Sequence, residues 1–336
     1  MKRFHIYTLI LGVLLLGFLI WEIGLRTLYD NLIRLGWGLA ILILAEGAVD
    51  LFHTAGWRHC LSGPYRSLSF LRLYGIHLAG FSINYLTPTA TLGGEVTKGT
   101  LLAMNHRGPE AATGVIIGKL SYALAQLVFV VLGSFLILWG INLPAGALAA
   151  MLTGTVLLGA GILGFLAVQK WGKLGSIVRW LAAHRIGGKA LGKVSESITR
   201  VDDDLKLFYR NQPLDLPLSI VWHMAGMACS IGQTWFFLFI MAGNASLHTA
   251  SAIWLLGTWM DLLTFPIPLD IGVREGTRIL AFKAVGLESA LGLTYGLATR
   301  LKETFWAGVG LLIYAAFLAE KRPKGVLAQM SKERRR

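Results

Sequence analysis

A chain of 336 residues with 55% hydrophobic and only 15% charged positions is too apolar for an ordinary soluble domain, in which about a quarter of residues are charged. It reads as an all-α, polytopic integral membrane protein. The formal charge of +13 does not point to nucleic acid, because the basic residues gather in one internal loop and the C-terminal tail, as in cytoplasmic loops facing anionic lipid.

In chain order, the basic start Met1-Lys2-Arg3 leads into a first span at about Ile6 to Trp21, with no small-residue cleavage site to mark a signal peptide. A polar, partly amphipathic connection runs from Glu22 to Gly36. The second span, about Trp37 to Thr54, carries Glu46, Asp50 and His53 at i, i+4 and i+7, which places them on one helical face. Leu73 to Leu86 stops at Thr87-Pro88, and a second short apolar stretch, Val96 to Met104, begins after Gly93-Gly94-Glu95. Neither reaches the roughly 20 residues of a full crossing. A re-entrant pair of half-helices is the expectation. Full spans follow at about Thr113 to Gly140 and Ala147 to Val168.

The segment Lys170 to Arg210 carries nine Lys or Arg residues against four acidic ones and is assigned to the cytoplasm. Leu191, Val194, Ile198, Val201, Leu205 and Phe208 alternate spacings of three and four, which predicts an amphipathic helix. The second half has spans at about Leu216 to Ala242 and Ala290 to Ala319. Between them, Thr249 to Phe265 and Thr277 to Val285 flank a second interruption. The tail Lys321 to Arg336 has seven Lys or Arg residues and reads as cytoplasmic. The domain division is therefore 1–168 and 214–319 for two membrane halves, 169–213 for the basic linker and 320–336 for the tail.

The two interruptions resemble each other. Pro88 to Gly99 reads PTATLGGEVTKG and Pro268 to Ile279, 180 positions later, reads PLDIGVREGTRI, matching Pro88 with Pro268, Glu95 with Glu275, Thr97 with Thr277 and Lys98 with Arg278. Paired Gly/Pro-interrupted segments in two halves are the best sequence pointer to a binding site in a repeat-built transporter. With both termini in the cytoplasm, about six full spans plus two hairpins satisfy the charge rule, and the hairpins enter from opposite faces, as in inverted repeats. Two double crossings would satisfy the same count; the short segments favour hairpins.

A half-helix ending inside a membrane presents free N–H groups and the positive end of its dipole, which suits an anion. Gly93, Gly94 and Gly272 allow close approach there, Lys98, Arg274 and Arg278 add positive charge, and Lys119 and Arg300 in the following spans form a second tier. A phosphate headgroup is the natural partner. Glu95 and Glu275 either cap and pair structurally or tune the site's charge or couple it to protons, as do Asp270, Glu46 and Asp50. Glu46, Asp50 and His53 fit a proton relay, a metal site or a plain polar bundle face, the last being the simplest; His223 and Asp261 are lesser candidates. Cys60 and Cys229 have no metal-ligand spacing, and no nucleophile elbow or Walker loop occurs. No enzyme, cofactor or resident metal is expected.

Asn84 to Pro88 followed by Gly93-Gly94-Glu95, and Pro268 with Ile271-Gly272-Val273-Arg274-Glu275-Gly276, resemble the flippase-like transmembrane family that includes the membrane domain of lysylphosphatidylglycerol synthases. Leu269-Asp270 stands where that family usually has a glycine pair, which puts an extra acid at the second site. The resemblance implies a multi-pass protein of a bacterial or archaeal inner membrane, with two inverted repeats, that handles a polar lipid between leaflets. The synthases carry a soluble aminoacyl-transferase domain after the membrane part; with the chain ending at Arg336, that activity is not expected here. The leading reading is a lipid flippase for an anionic headgroup, with membrane lipids and no nucleic acid as partners. The alternative is a non-transporting accessory subunit of lipid or cell-envelope glycan biosynthesis, partnered by a second copy or a biosynthetic enzyme. An intramembrane lipid-modifying enzyme using Glu46, Asp50 and His53 comes third.

Overall fold

The computed structural model describes residues 14–87, 92–104, 110–140, 145–170, 207–208, 210–243, 245–264 and 271–320. Pro88, the stretch from Pro268 to Asp270, the basic tail and all but the end of the expected linker helix lie outside the described residues. Apart from one 3-10 turn at Gly63–Tyr65, the regular structure described is α-helical. The helices are α1 (Leu14–Ile23), α2 (Leu25–Leu35), α3 (Trp37–His59), α4 (Phe70–Leu86), α5 (Leu92–Ala103), α6 (Glu110–Gly140), α7 (Ala145–Lys170), α8 (Asp215–Ala242), α9 (Leu247–Thr264), α10 (Val273–Ala284) and α11 (Ser289–Glu320). Four of them, α3, α6, α8 and α11, are long and apolar enough to cross a bilayer. The other two expected spans fall on α1 and α7, whose described apolar stretches, Leu14–Ile23 and Leu152–Gly161, are shorter. The protein is a multi-pass helical membrane protein.

The expected amphipathic connection folds as α2. It buries Leu28 and Leu35, leaves Leu25, Tyr29 and Ile33 exposed, and its Asn31 side-chain amide donates to Thr294 on α11 at 3.2 Å. Each interruption divides its stretch into two short helices. The pair α4 and α5 has 17 and 12 residues, and α9 and α10 have 18 and 12, so at 1.5 Å per residue the members are about 18 to 27 Å long. Helix α4 stops where the sequence dictates. Thr87 has extended backbone (φ −111, ψ 130), the conformation that a following proline favours.

The two halves pack as counterparts. Helix α4 lies against α11 and α9 against α6; α3 against α11 and α8 against α6; α4 against α5 and α9 against α10; α5 against α6 and α10 against α11. The closest association joins α3 to α8, and it is antiparallel: Glu46 meets Gln233, His53 lies over Gly226, His223 over Gly56, and Cys60 reaches Ser219. One buried apolar cluster sits around α4 and α5, with Leu73, Ile76, Leu101 and Ile117, and another around α9 and α10, with Ile253, Leu255, Ala281 and Phe282. Hydrocarbon tails are as apolar as these side chains, so close fit rather than water exclusion holds such helices together. Small residues supply that fit: a Cβ on Gly310 of α11 would collide with the Leu78 carbonyl and Ser82 of α4.

At the edge of the bundle an ion pair ties the halves. Asp215, the first residue of α8, accepts from Arg66 at 2.6 and 3.1 Å and lies 2.9 Å from His59 Nδ1 at the end of α3.

Candidate functional site

Six helices, α3, α4, α5, α6, α8 and α9, line an open cavity of about 300 Å³. Helix α3 contributes Glu46, Asp50, His53 and Trp57 along one face, from its middle to its C-terminal end. Helix α4 adds His77, Phe81 and Asn84, α5 adds Glu95 and Lys98, and α6 adds Gly118, Lys119 and Tyr122. His223 and Ser230 come from α8 and Trp254 from α9.

The short helix α5 reaches the cavity because glycines let it approach α4. A Cβ on Gly94 would run into the Gly80 carbonyl and the Asn84 side chain, and one on Gly80 would meet the Lys98 methylenes. The Gly94 N–H donates to Asn84 Oδ1 at 2.6 Å, and the Gly93 carbonyl accepts from Thr97. Lys98 then projects over the Trp57 ring, 5.5 Å from its centroid, and lies 3.5 Å from Glu95 one turn away. Lys119 comes from α6 to the other Glu95 oxygen at 3.7 Å and stands 5.9 Å from the Tyr122 ring centroid. Two ammonium groups thus flank one carboxylate at distances longer than a close ion pair.

Opposite them, Asp50 Oδ1 lies 3.2 Å from His77 Nε2. His53 and His223 face each other with Nδ1 atoms 3.1 Å apart, so with both rings neutral one donates and the other accepts. Tyr122 sets its ring edge-on to both imidazoles. Glu46 is engaged away from this group: Lys302 on α11 donates to it at 2.7 Å and to Gln233 Oε1 at 2.6 Å, and Gln233 donates to Glu46 at 3.0 Å.

The second interruption is built differently. Glu275 is fully buried; it accepts from the Gly272 N–H at 2.7 Å and pairs with Arg300. Gly272 has φ +76, in the left-handed region that favours glycine, and so turns the chain into α10. Arg274 pairs with Glu303 at 2.6 Å and Arg278 with Asp261 at 2.6 Å. Each of these three arginines has its own carboxylate. None of Gly272, Arg274, Glu275, Arg278 or Arg300 lines the cavity, and Asp270 lies outside the described residues.

The structure therefore brings Glu46, Asp50, His53, Glu95, Lys98 and Lys119 together in one place and leaves the second set in a separate ion-paired cluster. Sequence reasoning missed Lys302, Gln233 and His77. It also missed a second internal match: His53-Thr54-Ala55-Gly56 and His223-Met224-Ala225-Gly226 meet each other where α3 crosses α8, each histidine ring covering the other helix's glycine. Phe52 and Trp222, the residues before them, stack at 6.0 Å.

No curated protein and no solved structure matches the chain. The family model described as the lysylphosphatidylglycerol synthase TM region matches residues 6–311, and the chain, a polytopic helical bundle around a charged cavity, belongs to that family.

Proposed function

We propose that the protein is a lipid translocase that moves a polar lipid with an anionic headgroup between leaflets, the headgroup entering the cavity at Lys98 and Lys119 while the acyl tails stay in the bilayer. The cavity carries this reading. Cations inside a membrane domain are expensive and mark a partner or pathway, and here Lys98 and Lys119, on either side of Glu95 at distances longer than a close ion pair, border about 300 Å³ of space that also has Glu46 and Asp50 on its wall. Family membership supports a role in lipid modification or flipping.

The architecture of the proposal is two inverted repeats, α3–α6 and α8–α11, each with a re-entrant helix pair, in a bacterial or archaeal inner membrane with both termini in the cytoplasm. The antiparallel α3–α8 contact and the exchange of packing partners between the halves support it. In this topology the cavity belongs to the cytoplasmic half of the bundle. The ion pairs Arg274–Glu303, Arg278–Asp261 and Arg300–Glu275 then occupy the corresponding region of the outer half. That is an inward-facing arrangement, and transport requires the two regions to exchange roles. The basic composition of the linker and tail suits anionic lipid on the cytoplasmic face.

The experiment is leaflet exchange of fluorescent anionic and zwitterionic lipids in liposomes holding the purified protein. Native protein speeds exchange of the anionic lipid, and the double change Lys98→Ala, Lys119→Ala lowers the rate at least tenfold. Folded native protein that exchanges no lipid would sink the translocase and favour an accessory role in envelope biosynthesis.

A further inference from the structure

The charges around the cavity balance. Among the described residues that line it or bond to its walls, Lys98, Lys119 and Lys302 face Glu46, Asp50 and Glu95, so with neutral imidazoles the set is electrically neutral. A monoanionic headgroup added to this set leaves one uncompensated negative charge inside the membrane domain, where an unpaired charge is costly. Either the headgroup brings its own positive charge, or a proton must arrive with it.

The wall has one acid placed to take that proton. Glu46 is held by Lys302 and Gln233, and Glu95 lies between two lysines. Asp50 has neither: its Oδ1 meets His77, and no Lys or Arg pairs with it among the described residues. The titratable and charged groups around it are Glu46 and His53 on its own helix, Tyr74 and His77 on α4, Glu95 and Lys98 on α5, Lys119 and Tyr122 on α6, His223 on α8, and Lys302 on α11 behind Glu46. Of these, Glu46 one helical turn away disfavours a second negative charge, while Lys98 and Lys302 favour it without reaching pairing distance. A headgroup anion in the same cavity disfavours it further.

We propose that an anionic headgroup enters this cavity together with one proton, which passes from the aqueous phase to the free carboxylate oxygen of Asp50, so that lipid movement is coupled to the proton gradient. No covalent bond changes. The neutral acid and the headgroup anion together restore the charge balance, and release on the far side returns both. This rests on the translocase reading and adds its coupling ion.

The test begins with full-length protein in detergent and short-chain dihexanoyl phosphatidylglycerol, titrated calorimetrically in two buffers of different ionisation enthalpy. Native protein takes up about one proton per lipid bound, and affinity falls about tenfold per pH unit over the range where Asp50 is ionised in the free protein. Asp50→Asn binds the same lipid without proton uptake and without pH dependence, while dihexanoyl phosphatidylcholine binds native protein with no net uptake. Anionic lipid bound by native protein with no proton taken up overturns the coupling, and that measurement needs no variant to fold. So does undiminished uptake by Asp50→Asn. In liposomes, a pH gradient drives labelled phosphatidylglycerol into one leaflet only with Asp50 present. Fast but unbiased exchange by native protein overturns the coupling and leaves the translocase standing; no binding and no exchange overturns both.

Discussion

At the level of single residues, two glutamates that match in sequence have opposite surroundings. Glu275 is fully buried against Arg300 and holds the Gly272 N–H. Removing one partner of a buried pair strands the other, so Glu275→Gln should cost about 3 kcal/mol and lower the thermal unfolding midpoint in detergent. Glu95, at 3.5 and 3.7 Å from its two lysines, is the more loosely held; Glu95→Gln should destabilise less than Glu275→Gln while changing the affinity for anionic lipid. Equal destabilisation by the two changes would contradict the asymmetry. The histidine-on-glycine contacts are a matter of space. A leucine at Gly56 has to displace the His223 ring, an overpacking penalty of about 1–3 kcal/mol. Adding His223→Ala should recover part of it, because the two sites are in contact.

Among the elements, the paired short helices decide the topology. If α4–α5 and α9–α10 are re-entrant, a cysteine replacing Thr87 or Ile271, at the inner ends of the pairs, should react slowly with a membrane-impermeant thiol reagent from either side. Ser67→Cys should label from the cytoplasm and Ser246→Cys from outside. Rapid labelling of Thr87→Cys from outside would mean that α4 crosses the bilayer. Part of this layer was legible in the sequence: a proline after Thr87 marks where α4 ends, and the i, i+3 spacing of Glu95 and Lys98 puts them on one face, whereas α5 begins at Leu92, ahead of the glycine pair, and not after Glu95 as expected. The partners of those charges were not. Lys98 and Arg278 align in register, yet one borders a cavity and the other meets Asp261 at 2.6 Å, a difference set by helices far away in the chain. The same holds for Lys302, which reaches Glu46 across 256 positions. The HTAG and HMAG strings lie 170 positions apart whereas the interruptions lie 180 apart, so a search at one fixed offset finds only one of the two matches.

On the scale of the whole molecule, neither half closes on itself. Each long helix of one half finds neighbours in the other: α11 lies against α3 and α4, and α8 against α3 and α6. The cavity takes its walls from both halves, since α3–α6 and α8–α9 all line it. Loosening the α3–α8 contact should therefore weaken lipid binding as well as stability, measurable by titrating a Gly56→Leu variant with dihexanoyl phosphatidylglycerol.

The clamp at Asp215 has a further consequence. Arg66 and His59 hold the first residue of α8 directly against the first half, so the start of α8 is tied to the end of α3 by side chains as well as through the chain. A chain cut between Lys189 and Lys193 and produced as two pieces should reassemble in the membrane and co-purify. With Asp215→Ala and Arg66→Ala together, the same two pieces should separate more readily, since the buried Asp215 carboxylate then no longer joins the end of α3 to the start of α8.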